Sequence, residues 1–202
     1  FTEDNKKLIY NNIDKVSSTL GIKNLHFAQQ VHTDEIAIVD SAYTLTPCDV
    51  LATQEAHRGL MIQHADCQAT IIYDPKQHVV ANVHCGWKGN ILNIYEKTVE
   101  FMKDKFGSQP ENLYVGIAPS LGPNASEFKD YKTSFPEHFW EFQVQNSYFN
   151  LWEIARQQLI KAKVLPEHIE IAELCTYHCS TDFFSYRKEN LTGRNGTIAA
   201  LL

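Results

Sequence analysis

The segment 78–106 constrains this chain more than any other. Val79, Val80, Ala81 and Val83 make 78–84 a buried strand. The strand ends in a turn, Gly86-Trp87-Lys88-Gly89. A helix from about Asn90 to Phe106 comes next, with Ile91, Ile94, Tyr95, Thr98, Phe101 and Met102 at helical spacing and Gly107 as its stop. Around this unit the pattern predicts a helix over 4–20, with Leu8, Ile9, Ile13, Val16 and Leu20 as its apolar stripe and Gly21 as its end. Strand-like runs occupy 25–27, 35–39, 59–63, 70–73 and 113–117. A second core helix covers 151–164, with Leu151, Ile154, Ala155, Leu159 and Ala162 on one face, and late strands cover 169–174 and 197–202. Strands and helices mix without the regular alternation of a doubly wound sheet. The expected fold class is therefore α/β of the mixed α+β kind: one domain over 1–202, with mixed sheets flanked by helices.

Composition narrows the function classes. With 202 residues and 44 % hydrophobic content, the chain can bury a core without disulfides. A net charge of −6 argues against a nucleic-acid backbone as partner, and no apolar run approaches the ~18 residues that a membrane helix needs. Five cysteines cannot all pair within the chain, so they read as reduced thiols in a cytoplasmic setting. The chain opens on Phe1 without a methionine, so a lead segment is expected to be missing upstream. Nothing in the sequence fixes an oligomeric state.

The chemistry-bearing residues sit at expected strand ends. His32, Cys67 and His84 offer two imidazoles and one thiolate, and three protein ligands leave a fourth position open, as in catalytic zinc sites. The same residues also suit a metal-free alternative, with Cys67 as nucleophile and His84 as its base, or simply core histidines around a buried thiol. His64 and Cys85 are additional candidates, His64 as ligand, base or merely a polar neighbour and Cys85 as ligand. Lys88, at the entrance of the helix expected from Asn90, would make an anion site with that helix's N-terminus, or the segment is an ordinary strand-to-helix turn with an exposed lysine. Near the C-terminus, Phe184, Tyr186, Arg187 and Arg194 could grip an anionic or aromatic ligand, or could be a solvated edge of the core.

Gln30-Val31-His32, Ala65-Asp66-Cys67, Val83-His84-Cys85-Gly86-Trp87-Lys88-Gly89, Phe183-Phe184-Ser185-Tyr186-Arg187 and Thr192-Gly193-Arg194-Asn195 follow one another in that order. As an ordered set they resemble the YfiH/YlmD family, also called the laccase-domain or multicopper polyphenol oxidase family. Cys48-Asp49-Val50-Leu51 is similar to another segment of that family. The resemblance covers roughly residues 8–202. It implies a single α/β domain and a metal site of His32, Cys67 and His84. It also implies a purine nucleoside enzyme: phosphorolysis of adenosine, inosine or methylthioadenosine with an adenosine deaminase side activity, with nucleoside and phosphate as small-molecule partners and zinc as the expected metal. Catalytic roles would fall to Cys67, His84 and Lys88, and substrate contacts to Lys88, Phe184, Tyr186, Arg187 and Arg194. The alternatives are a copper-dependent polyphenol oxidase and a non-catalytic metal-binding protein. A multicopper oxidase draws its ligands from His-x-His pairs, and this chain has none. The chain departs from the family pattern at His64, where Thr is usual, and at Cys85 and Lys88, where Ala and Arg are usual. Lys keeps the positive charge but loses the bidentate fork.

Overall fold

In this computed structural model, which describes residues 6–22 and 24–202, the chain opens with helix α1 (Lys6–Leu20) and strands β1 (Asn24–Phe27) and β2 (Ile36–Ile38). Strands β3 (Val50–Thr53), β4 (Arg58–His64), β5 (Gln68–Asp74) and β6 (Val79–Cys85) come next, then helices α2 (Trp87–Ile91) and α3 (Ile94–Phe106). Strand β7 (Tyr114–Ile117), helix α4 (Tyr131–Ser134), the ribbon of β8 (Gln143–Gln145) and β9 (Tyr148–Phe149), and helix α5 (Leu151–Lys161) follow. The chain closes with β10 (Ile169–Ile171), α6 (Tyr186–Glu189) and β11 (Asn195–Ala200).

The main sheet is mixed, in the order β10-β7-β5-β6-β3-β2, and a second sheet has the order β1-β4-β11. All seven residues of β6 are buried because both of its faces are covered. Val79, Ala81, Val83 and Cys85 pack against Ile94, Tyr95, Val99 and Met102 of α3 and Ala155 and Leu159 of α5. Val80, on the opposite face, meets Leu60 of β4 and Ala199 of β11 in a second core. Strand alternation puts Asn82 and His84 on Val80's side, facing the smaller sheet. Asn82 fixes the two layers there, its Nδ2 donating to the carbonyls of Leu60 and Thr197, each at 2.9 Å. A third, aromatic cluster gathers Phe135, Phe139 and Phe149, with Trp87 and Phe128 against it.

The mixed α/β class is as expected, and the structure refines several elements. The helix expected from Asn90 is two helices. Asn93 adopts a left-handed conformation (φ 57°), which Asn tolerates better than most residues, and separates α2 from α3. The expected helix at 4–20 is described from Lys6, and residues 4 and 5 lie outside the described residues. Its stripe is only partly used: Ile9 and Ile13 are half-buried, whereas Leu8, Val16 and Leu20 are exposed. Strand β3, between β2 and β6, was not among the expected strands. Its four residues are all buried, so they show no alternation to read. No described helix is long and apolar enough to cross a membrane.

Candidate metal centre

Two connections and the end of one strand converge at one end of the space between the two sheets. His32 comes from the β1–β2 loop, Cys67 from the β4–β5 turn, and His84 is the penultimate residue of β6. One potential ligand atom from each lies within 4.8 Å of the other two. His32 Nε2 is 3.9 Å from Cys67 Sγ, and the two imidazole centroids are 4.9 Å apart, nearly perpendicular. In a tetrahedral zinc site the nitrogen and sulfur ligands are roughly 3.5 Å apart, so the set fits a metal with small adjustments. His84 is buried, Cys67 partly buried and His32 exposed, so the cluster opens to solvent on the His32 side.

A buried carboxylate organises two of the three. Asp49 Oδ1 accepts from His84 Nδ1 at 2.7 Å. Because an ionised carboxylate only accepts, Nδ1 carries the proton and Nε2 is left free for a ligand role. Asp49 Oδ2 accepts from the Val31 and Thr33 amides at 3.2 and 2.7 Å and from Thr33 Oγ1 at 3.1 Å. The same side chain therefore holds both flanks of His32, which sits at φ 61°. Gln30 adds a clamp: its Nε2 donates to the Gln63 carbonyl and its Oε1 accepts from the Gln63 amide. Asp66, before Cys67, is also left-handed (φ 90°). Its carboxylate accepts from Thr176 Oγ1 at 2.7 Å and from the Arg187 amide at 2.6 Å, tying the Cys67 turn to the C-terminal segment. Backbone strain of this kind is characteristic of functional sites.

The electrostatics suit a thiolate ligand. Burial pushes the Cys67 thiol up, but hydrogen bonds from His32 and His84 outweigh it and bring the thiol down to about 6. Burial pulls His84 down, but Asp49 and then Cys67 raise it to about 9, so the pair without metal is thiolate and imidazolium near neutral pH. Burial also pushes Asp49 up, but His84 and the Thr33 amide hold it below the usual carboxylate range.

Gly86 makes room for the cluster. A Cβ there would lie 3.0 Å from His32 Cδ2 and 3.1 Å from Cys67 Sγ. Its φ of −82° is open to any residue, so the requirement is close approach, not backbone freedom. Gly86→Ala is expected to displace both side chains and weaken metal binding about 10–100-fold, as loss of supporting contacts around a metal typically does. Competition against a chromogenic chelator measures it, and unchanged affinity would mean that the cluster accommodates the methyl without rearranging.

The other candidates are placed as follows. Cys85 is fully buried on the opposite face of β6, its sulfur among α3-facing residues. Strand alternation after His84 thus turns it away from the cluster, a correction to its expected place beside the metal. His64 ends β4 outside the three-residue set. Burial, then the charge of His84, holds it down at about 4, so it is neutral at pH 7. Lys88 is exposed within α2, its Nζ 5.6 Å from the Trp87 ring centroid. The turn expected to lead into a helix at Asn90 is itself the first part of α2. At five residues α2 is too short to supply the helix N-terminus expected there for an anion. Phe184 is half-exposed, its backbone N–H and C=O held by the Asn195 side chain. Tyr186 is exposed. Arg187 donates through Nη1 to the Glu127 carbonyl and lies over Phe128, 5.5 Å from its centroid. Arg194 donates to the carbonyls of Thr192 and Gly193. The anchoring roles of Asp49 and Gln30 had no signal of their own in the sequence beyond the motif segments that contain them.

Comparison with known proteins gives this arrangement a context. Proteins named purine nucleoside phosphorylase from Bacteroides thetaiotaomicron, Xylella fastidiosa (strain Temecula1) and Shigella flexneri, the last called YfiH, are 27 %, 29 % and 31 % identical to the chain. These matches cover 79 %, 93 % and 81 % of this chain but 66 %, 76 % and 64 % of the relatives, so the chain spans about two thirds to three quarters of their length. The crystal structure of YfiH from Bacillus licheniformis superposes with a TM-score of 0.89 at 27 % identity, covering 100 % of this chain and 84 % of that one. For YlmD from Geobacillus stearothermophilus the values are 0.87, 26 %, 100 % and 83 %. The sequence pattern described as multi-copper polyphenol oxidoreductase laccase matches residues 1–202. The chain therefore belongs to that laccase-like family, which includes the YfiH and YlmD proteins.

Proposed function

We propose that the chain is a zinc-dependent purine nucleoside phosphorylase with an adenosine deaminase side activity. The observation that carries this reading is the His32–Cys67–His84 set, with ligand atoms within 4.8 Å and His84 locked in the ligating tautomer by Asp49. The names of the relatives support the nucleoside class. His32, Cys67 and His84 would hold the ion. Such an ion supplies Lewis acidity, polarising an oxygen or making water a competent nucleophile near neutral pH. In phosphorolysis a phosphate oxygen attacks the sugar C1′, the C1′–N9 bond breaks, and the purine leaves with the electron pair and takes up a proton. Lys88, Arg187 and Arg194 are the cations assigned to the phosphate. Arg187 keeps most of its five donors after its single bond to Glu127. Phe184 and Tyr186 present exposed rings for the purine.

A second reading, copper-dependent phenol oxidation, is favoured by the two-nitrogen, one-sulfur donor set, which binds copper more tightly than zinc. Against several coppers, the described residues form one group of three candidate ligands. The deciding assay is base release from adenosine and inosine, with and without phosphate, alongside metal content by mass spectrometry. Phosphate-dependent release from protein holding about one zinc is expected. Phenol oxidation by copper-loaded protein, with no base release, would replace the phosphorylase reading by the oxidase. A bound metal with neither turnover would leave a metal-binding protein.

A further inference from the structure

Phe184 is held more firmly than its exposure suggests. Its backbone is clamped at both polar groups: the N–H donates to Asn195 Oδ1 and the C=O accepts from Asn195 Nδ2, each at 2.9 Å. Asn195 opens β11, directly opposite His64 at the end of β4. Three residues after Phe184, the Arg187 amide donates to the carboxylate of Asp66, the neighbour of Cys67. The segment carrying Phe184 is thus tied to both sides of the β4–β5 turn that supplies Cys67. A separate contact holds the ring. A Cβ on Gly193 would lie 2.7 Å from Phe184 Cζ, 2.8 Å from Cε1 and 2.9 Å from Cε2. An edge-on approach would leave both Cε atoms well behind Cζ, so the near-equal distances put Gly193 over the ring's face. The backbone of Gly193 is not left-handed, so the position requires the absence of a side chain and not a special conformation. Phe184 is nevertheless 49 % exposed. With one face on the main chain, that exposure falls to the opposite face and the edges.

We propose that Gly193 and Asn195 are positioning residues that hold Phe184 as a one-sided stacking platform for the purine base, Gly193 by backing the ring and Asn195 by fixing its backbone. The purine rests on the function proposed above. A planar, apolar face suits a planar base, and a ring already held in place has little freedom left to lose on binding.

The test compares the zinc-loaded full chain with Gly193→Ala, Phe184→Ala and the double variant, measuring adenosine affinity by calorimetry and the ring-current shift of the adenosine H2 and H8 protons by NMR. In Gly193→Ala the added methyl meets only the far end of the Phe184 side chain, so the ring swings aside and the fold stays. Adenosine binding is expected to weaken about 10-fold, the scale of one base–aromatic stack, the upfield shift is expected to vanish, and zinc retention to stay as in the wild type. Phe184→Ala is expected to lose as much, and the double variant no more than Phe184→Ala alone. Wild-type affinity in Gly193→Ala, or a further loss in the double variant, would overturn the positioning role. Two substitutions that leave Gly193 intact check the platform itself. Phe184→Tyr keeps the face and should bind adenosine like the wild type, whereas Phe184→Leu keeps the bulk without the plane and should bind it like Phe184→Ala. Equal binding by Phe184→Leu and Phe184→Tyr would overturn the stacking role, as would adenosine binding by the wild type without an upfield shift, or no adenosine binding at all. If adenosine stacks on the wild type yet is not cleaved in the presence of phosphate, the platform stands and the phosphorylase reading falls.

Discussion

Replacing His84 with alanine is expected to abolish metal retention and nucleoside turnover together. The substitution removes one of three candidate ligands and the one most firmly fixed, buried on β6 with its Nδ1 at 2.7 Å from Asp49. Loss of a supporting contact alone typically weakens a metal site 10–100-fold, so loss of a ligand should cost at least about 100-fold. The fold should survive. Asp49 would still accept from the Val31 amide, the Thr33 amide and Thr33 Oγ1, so its buried carboxylate is not stranded and the His32 loop keeps its anchor. The stability cost should be about 1–3 kcal/mol, a fall in Tm of about 2–4 °C per kcal/mol for a chain of this size. Metal content after dialysis against a weak chelator, turnover of the same sample and a melting curve give the three values. Turnover by metal-free His84→Ala protein would take the metal out of the mechanism, and collapse of the melting transition would show His84 to be structural first.

The sequence exposed the parts of this site more readily than their arrangement. Cys67 and His84 stand out because each lies at a strand end, where alternation stops and turn residues begin, whereas His32 lies within the β1–β2 loop, four residues before β2, and stands out only through its motif segment. The β6 strand was legible as a short apolar run rich in valine, and the helical segment after it by the repeat from Ile91 to Met102. That same repeat concealed the break at Asn93, because apolar spacing continues across a single left-handed residue. The aromatic lobe around Phe128, Phe135 and Phe149 was not read at all, since it is built from short turns of helix and a two-stranded ribbon, too brief to display a period. Cys85 misled for a related reason. Adjacent letters in a sequence look like neighbours, but adjacent residues in a strand point apart, so the residue after a candidate ligand belongs to the other core. Asp49 was visible only as part of a four-residue motif segment. Its function is tertiary: it links β6 to the loop that carries His32, and no local pattern encodes that.

The tautomer argument makes Asp49→Asn the sharpest probe of this link. An asparagine fits the space of the aspartate but has one oxygen and one NH2 in place of two acceptors. With its oxygen toward the Thr33 and Val31 amides, its NH2 faces His84 Nδ1. The imidazole must then present a lone pair at Nδ1 and carry its proton on Nε2, the nitrogen needed for the metal. With the amide flipped, the NH2 opposes two backbone donors and the loop bearing His32 is pushed away. Either arrangement damages a ligand, one electronically and the other by position. Zinc affinity is expected to fall about 10–100-fold, while the stability loss should stay near the 1–3 kcal/mol typical of one buried hydrogen-bonding mismatch. Asp49→Ala should cost more stability, because the Val31 and Thr33 donors and His84 lose their shared acceptor at once. Its effect on zinc therefore mixes unfolding of the His32 loop with loss of orientation. Comparing the two variants by zinc competition and thermal melting separates these causes. If Asp49→Asn binds zinc as tightly as the wild type, the carboxylate does not set the His84 tautomer. The thiolate and two imidazoles would then have to be held in place by packing alone, chiefly the close approach of Gly86 to His32 and Cys67.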